Sequence, residues 1–186
     1  MANRNTQGFG LIAAGALGST PATSGQGKYK IDAGYGTTLF HGGAVASAAG
    51  YIVDGQTTDA PILGVLNGIF YNAASTLKPT FANHYVQVTP ANSEDIDAFV
   101  FDNPQQQYVV STDAAVAQAG YLETYDMNTS AGSTTTGQSS ATLDILDTSA
   151  DAASWRLLRS AEDPENDENA AFRSVVVVAN LIELQN

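Results

Sequence analysis

Apolar residues in this chain come in short runs or in alternation with polar ones, and Gly, Asn, Asp and Pro break the runs at short intervals. That period is the mark of half-buried strands. Tyr29 and Ile31 open the series, followed by Leu39 and Phe40. His41, Gly42 and Gly43 mark a turn before Ala44 and Val45. Tyr51, Ile52 and Val53 form a short strand closed by the turn dipeptide Asp54-Gly55. After Pro61, residues 62–71 are almost continuously apolar, and Gly64 and Gly68 within them predict a bulge or a sharp barrel corner. Residues 85–88 alternate as a strand should. Residues 96–101 form another strand ended by Asp102, Asn103 and Pro104, and Tyr108, Val109 and Val110 follow. Leu143, Ile145 and residues 155–158 return to strand, and residues 174–182, with Val175, Val176, Val177 and Val178 in succession, make the last one. The one helical candidate is residues 113–119, rich in alanine and ended by Gly120. Residues 128–140 read as a Ser/Thr/Gly loop and residues 162–169 as an acidic loop.

Strands this short and this frequent, with turn signals between them, predict a mostly β fold: a small β-barrel or jelly-roll-like body with an extended N-terminal arm. The arm is residues 1–27 and the β-rich body residues 28–186, with a possible sub-boundary near 111–140. The arm's large apolar groups are Phe9, Leu11, Ile12 and Leu17, and Pro21 interrupts any element there. Its expected place is across a neighbouring chain, with Phe9, Leu11 and Ile12 as anchors. Arg4 followed by the small apolar run 8–18 also has the look of a weak signal peptide, but Gly8, Gly10, Gly15 and Gly18 make a poor helical core for one.

Composition narrows the function classes. Apolar residues are 44% of the chain, enough for a real core, whereas charged residues are only 14%, so the surface is polar mainly through Thr, Ser, Asn and Gln. Nineteen acids against seven bases give a net charge of −12, which repels phosphates, so nucleic acid is not an expected partner. No apolar run is long enough for a membrane span, and no membrane partner is expected. With no cysteine there is no disulfide, thiolate metal site or cysteine nucleophile.

Candidate chemistry is sparse. His41 and His84 have no second ligand at metal spacing, and each reads as a loop histidine. Neither a Gly-x-Ser-x-Gly elbow nor a phosphate-binding glycine motif occurs; Gly15-Ala16-Leu17-Gly18 lacks the following lysine. Asp95 and Asp97 mimic a glycosidase pair, but among nineteen acids some such pair always does. The acidic loop could offer oxygens to Ca²⁺ but lacks the EF-hand pattern, and a solvated loop is the better reading. The expectation is no enzyme, no metal and no cofactor. Trp155, flanked by Arg156 and followed by Arg159, has the makings of an interface anchor, or else of a core tryptophan with surface arginines beside it.

Several segments carry a resemblance. Residues 1–12 (Met1-Ala2-Asn3-Arg4-Asn5-Thr6-Gln7-Gly8-Phe9-Gly10-Leu11-Ile12), Gly18-Ser19-Thr20-Pro21-Ala22-Thr23 and Lys28-Tyr29-Lys30-Ile31-Asp32 resemble a family of virion proteins of marine tailed phages, including cyanophages. So do residues 61–71, Lys78-Pro79-Thr80-Phe81-Ala82-Asn83 and residues 97–104. A short strand, an Asp-Gly turn and then Pro61-Ile62-Leu63-Gly64-Val65 also resemble the small β-barrel cement proteins of tailed-phage capsids. The resemblance implies a homo-oligomeric decoration protein on the outer capsid surface, a trimer more often than a dimer, with the major capsid protein as partner. It implies no residue-level binding motif. The long arm and the region after residue 111 depart from the minimal barrel, and another virion part (tail, head–tail connector or fibre-associated protein) fits the same residues. From the residues alone, the inter-subunit candidates are Phe9, Leu11, Ile12, Leu17, Trp155 and Arg156.

Overall fold

The computed structural model describes residues 3, 5–18, 25–55, 61–128, 132–146, 153–167 and 169–185. The protein is mostly β, built from antiparallel sheets. Sheet I runs in the order β1 (Ile12–Ala16), β8 (Gln106–Ser111), β13 (Ser174–Ala179), β12 (Trp155–Ser160), β9 (Thr124–Tyr125). Sheet II runs β2 (Gly27–Ile31), β7 (Ile96–Phe101), β5 (Gly64–Asn72), β3 (Ala44–Ala48), β4 (Tyr51–Asp54), with β6 (Pro79–Ala82) also paired to β5. A two-stranded ribbon of β10 (Met127–Asn128) and β11 (Thr142–Leu143) completes the set. Sheet II curls until β4 lies alongside β2. Among the described residues no ladder joins that pair, so the sheet stays open where a closed barrel would seal.

Strand alternation sorts side chains into two cores. In sheet I, Tyr108 and Val110, Val175 and Val177, and Trp155 and Leu157 point to one interior together with Leu11, Met127 and Leu143. In sheet II, Ile31, Ile52, Leu66, Ile69, Ile96, Ala98 and Val100 fill a second, with Tyr85 and Leu39. The residues around β3 and the start of β5 serve both: Ala44, Ile62 and Val65 belong to the first core, Val45, Leu63 and Leu66 to the second. A strand buried on both faces reads as a continuous apolar run, which is why residues 62–71 lack alternation. The register of β5 against β7 shifts between Leu66 and Gly68, so the bulge expected at the glycines is present.

Several sequence expectations need correcting, Ile145 among them, which follows β11 in a bend and not in a strand. Residues 113–119 form no helix; only a 3-10 turn occurs, at Gln118–Gly120. A segment this short cannot repay helix nucleation, and its groups have other partners: the Asp113 N–H bonds the Leu143 carbonyl, the Asp113 carboxylate accepts the Ile145 N–H at 2.9 Å, and Val116 is buried in the first core. Residues 85–88 are not a strand. Tyr85 alone bridges Leu39, through two backbone bonds, while Val86 is exposed. The last strand ends at Ala179; the Asn180 N–H bonds Ser154, and Ile182 makes a separate parallel bridge to Ile62.

The described part of the N-terminal arm lies on its own body, where the sequence had placed residues 8–18 across another chain. β1 pairs with β8, Leu11 is 2% exposed in the first core, and the Leu11 N–H bonds the Gly42 carbonyl at 2.8 Å. Without β1 the strand β8 would be a bare sheet edge. The chain passes from sheet II to sheet I between β7 and β8, over residues 102–105.

One junction is expected to respond to pH. The carboxyl groups of Asp113 and Asp144 are hydrogen-bonded neighbours beside the ribbon, and the Asp144 N–H bonds the Asp126 carbonyl. Burial first, then the Asp144 charge and hydrogen bond, raise the pKa of Asp113 from the ordinary 3.8. A raised folded value means that the protonated form is favoured by folding, so this contribution is full below about pH 3.8 and is lost as pH rises through the raised value. Asp113→Asn keeps the acceptor for Ile145 and removes the charge. Urea denaturation should show the variant gaining on the parent as pH rises, by no more than about 1 kcal/mol at this half-buried site. The two curves should converge near pH 3. An advantage independent of pH would show that the carboxyl pair is not its source.

Candidate docking surface

Backbone register places four side chains in one row on the outer face of sheet II: Lys30 on β2, Asp97 on β7, Phe70 on β5 and Phe81 on β6. The next row holds Lys28, Phe99 and Gly68. Their neighbours along each strand, Ile31, Ile96, Ala98 and Ile69, point into the second core. Phe81 is 65% exposed, and its ring centroid is 5.9 Å from that of Phe99. The Phe81 ring lies over Gly68, where a Cβ would sit 3.2 Å from the ring edge. The glycine that follows the bulge thus gives the ring its bed, a cross-strand aromatic-over-glycine arrangement. Leu77, 74% exposed, stands at the tip of the hairpin that joins β5 to β6.

The charge on this face is unusual for the molecule. All three lysines of the chain, Lys28, Lys30 and Lys78, lie on these rows or on the hairpin beside them. Lys28 and Lys30 both reach the Asp97 carboxylate, at 2.7 Å and 2.6 Å. Burial pushes the Asp97 carboxyl up, but the hydrogen bonds from Lys28 and Lys30 outweigh it and hold the group below the ordinary carboxylate range. That stabilisation is present above about pH 3.8 and fades as pH falls through the depressed value. The lysines are half or more exposed, so the bridges contribute under about 1 kcal/mol. They fix the position of two cations beside an aromatic shelf.

The residues singled out in the sequence do not converge on one site. Leu11 and Trp155 are interior, and Trp155 meets Tyr108 edge-to-face at 5.6 Å. Of the two readings of Trp155, its placement is that of the core residue. Arg156 is exposed and donates to the Leu122 carbonyl and the Asn180 side chain; its register partner is Val178, as Val176 is of Arg159, so the arginine stems cover the back of β13. Phe9 is half-buried and its carbonyl accepts from Gln138, whereas Ile12 and Leu17 lie at the surface. Sequence reasoning missed Phe81 and Phe99. The available signal was an aromatic beside Pro79 in a short segment, a position that the edge of a sheet exposes.

The polar candidates hold loops. The His41 ring nitrogen Nδ1 lies 2.9 Å from the Asn67 carbonyl at the bulge, and the His41 backbone bonds both Gly137 and Ser139. His84 stacks on Phe40 and bonds Asn83, which in turn holds the Thr136 carbonyl. Asp95 accepts from the Tyr51 hydroxyl. In the acidic loop Glu162, Asp163 and Glu165 face solvent, and Asn166 ties the loop to Ser160 and Ser174. Among the described residues no three His, Cys, Asp or Glu side chains are grouped to hold a metal ion, and no helix is long and apolar enough to cross a membrane.

Cavities open at the surface on both sheets. One of about 530 Å³ lies at the unsealed seam of sheet II, between Tyr29, Tyr51, Leu63 and Leu184. Burial, and then the hydrogen bond to Asp102, push the Tyr29 hydroxyl up to about 12, so it stays protonated at neutral pH. Another, about 580 Å³, lies beside Tyr121 and the buried Arg173, whose guanidinium sits 5.6 Å above the Tyr121 ring. The chain matches no family model, no curated protein and no solved structure.

Proposed function

We propose that this protein is a non-enzymatic virion component that decorates a phage capsid, binding the outer surface of the major capsid protein through the Phe81 face of sheet II. The observation that carries the reading is the shelf of Phe81, Phe99 and Phe70, aromatic, exposed at Phe81 and flanked on the far side by Lys28 and Lys30. Aromatic anchors ringed by polar groups concentrate binding energy at protein interfaces. The likeness of residues 61–71, 78–83 and 97–104 to phage virion proteins supports the same reading, and these segments supply β5, β6 and β7, the strands of the shelf. The small share of charged residues and high Ser/Thr content suit a protein that works by apolar and backbone contacts repeated across a symmetric shell.

The test is occupancy. Purified virions should carry this chain in numbers comparable to the capsid protein; six or twelve copies would move it to the tail or portal. Phe81→Asp, at an exposed position, should leave the fold intact and lower occupancy on empty capsids by about tenfold or more, the range of an interface anchor. Leu122→Asp, at an exposed site on the sheet I side, should leave occupancy unchanged. Equal occupancy for Phe81→Asp and the parent would place the docking face elsewhere.

A further inference from the structure

Open sheets leave strand edges that can recruit another chain, and proteins guard them with charge, proline, brevity, bulges or caps. Among the described residues, four of the five edges of sheets I and II are guarded. β2 carries Lys28 and Lys30. β4 ends at Asp54, whose N–H is capped by the Tyr35 hydroxyl at 2.8 Å. β6 begins at Pro79 beside Lys78 and has four residues. β9 has two residues, both buried. β1 differs: it reads Ile-Ala-Ala-Gly-Ala, Ile12 is 49% exposed, Ala14 is exposed, and Leu17 follows at the surface. Residues 5–27 carry no charged side chain in a chain of net charge −12. The guards that β1 does carry are a bulge between Ala13 and Gly15 and the Gln106 and Gln107 amides on the Gly15 and Ala16 carbonyls; all lie beyond Ile12, which leaves the start of the strand open among the described residues.

We infer that β1 is a self-association edge, which pairs antiparallel with β1 of a second copy across a two-fold axis. A second copy is the partner that the charge favours. Two molecules of this net charge repel one another, and the repulsion is screened only over about 8 Å at physiological ionic strength. They approach most easily where both are neutral, and the neutral segment is this edge. An antiparallel pair of identical strands is self-complementary, as an isologous contact requires. The Ile12 side chains add apolar burial next to the new ladder. Five residues a side bury far less than the roughly 1,200–2,000 Å² of a standard interface, so the contact is weak in dilute solution and forms where copies are crowded. It joins copies in pairs, where the resemblance pointed more often to trimers. The inference rests on sheet topology and charge and stands apart from the capsid reading.

The chain has no cysteine, so single-cysteine variants of the full protein report one position each. Ile12→Cys and Ala14→Cys are compared with Leu77→Cys and Leu122→Cys under mild oxidation at equal concentration. Leu77 and Leu122 are 74% and 63% exposed, more than Ile12, so random collision would link them first. The expected result is a covalent dimer forming about tenfold faster at position 12 or 14, because pairing raises the local thiol concentration. Adding Ala14→Lys to Ile12→Cys, a change at an exposed side chain, should reduce the rate to that of Leu77→Cys. Cross-linking rates ordered by exposure alone would overturn the inference, and so would an Ile12→Cys rate unmoved by Ala14→Lys.

Discussion

Trp155→Ala should destabilise the protein by about 3–5 kcal/mol, the range for emptying a buried aromatic site. Trp155 is 1% exposed at the start of β12, where its backbone neighbours are Ala179 on β13 and Tyr125 on β9. Its ring meets Tyr108 of β8 edge-to-face, so one side chain ties four of the five strands of sheet I. Removing it leaves a void lined by strands that cannot collapse without breaking ladder bonds. A domain with a net stability of about 5–15 kcal/mol would lose about a fifth of it or more. The urea midpoint should fall steeply for Trp155→Ala and less for Trp155→Phe, which keeps most of the volume. An anchor held for a partner would behave differently: truncation would weaken binding and leave the midpoint of the free protein near that of the parent.

How far the fold can be read from the sequence varies along the chain, for physical reasons. The strand at β7 is legible at both ends, because Ile96, Ala98 and Val100 alternate cleanly and Asp102, Asn103 and Pro104 stop it. The bulge at Gly68 is legible because glycine inside an apolar strand marks a bulge, a bend or a close approach of backbone. Residues 113–119 mislead because alanine favours helix locally, while the decisive interactions, those of Asp113 with Leu143 and Ile145, come from residues thirty positions away. The arm misleads for a related reason. Composition shows that past Arg4 it is uncharged and poor in large side chains, but not that Gly42 leaves space for its backbone beside Leu11. Periodicity says which residues face inward without saying into which of two cores. Ala44, Ile62 and Val65 therefore join the first core from the middle of a stretch that otherwise fills the second, and composition leaves no mark of it. The Phe81 shelf was hidden because its members come from three strands, and only register brings Phe70, Phe81 and Phe99 together.

Gly64→Ala should cost about 3 kcal/mol or more, at or above the usual cost of overpacking, although it adds a single methyl group. Gly64 opens β5 at the joint between the cores, with Ile62 and Val65 in one and Leu63 and Leu66 in the other. It pairs with Val45 on β3, and on the other side a Cβ would lie 2.2 Å from the carbonyl oxygen of Phe101. That obstacle is backbone, so no rotamer relieves it, and β5 and β7 must move apart. The same carbonyl accepts the Tyr108 hydroxyl at 3.1 Å, and Tyr108 packs on Trp155. A shift at Phe101 therefore strips a buried hydroxyl of its partner, at about 1–3 kcal/mol, and carries the strain from sheet II into sheet I. Gly36→Ala is the control, since nothing lies within 4 Å of the added Cβ there; it should stay within about 0.5 kcal/mol of the parent. Urea unfolding of Gly64→Ala should remain a single transition at a lower midpoint with an unchanged slope, because the added methyl strains both cores at once. Two separate transitions would show that the sheets unfold independently and that Gly64 does not couple them, and an unchanged midpoint would show that β7 yields to the methyl group freely.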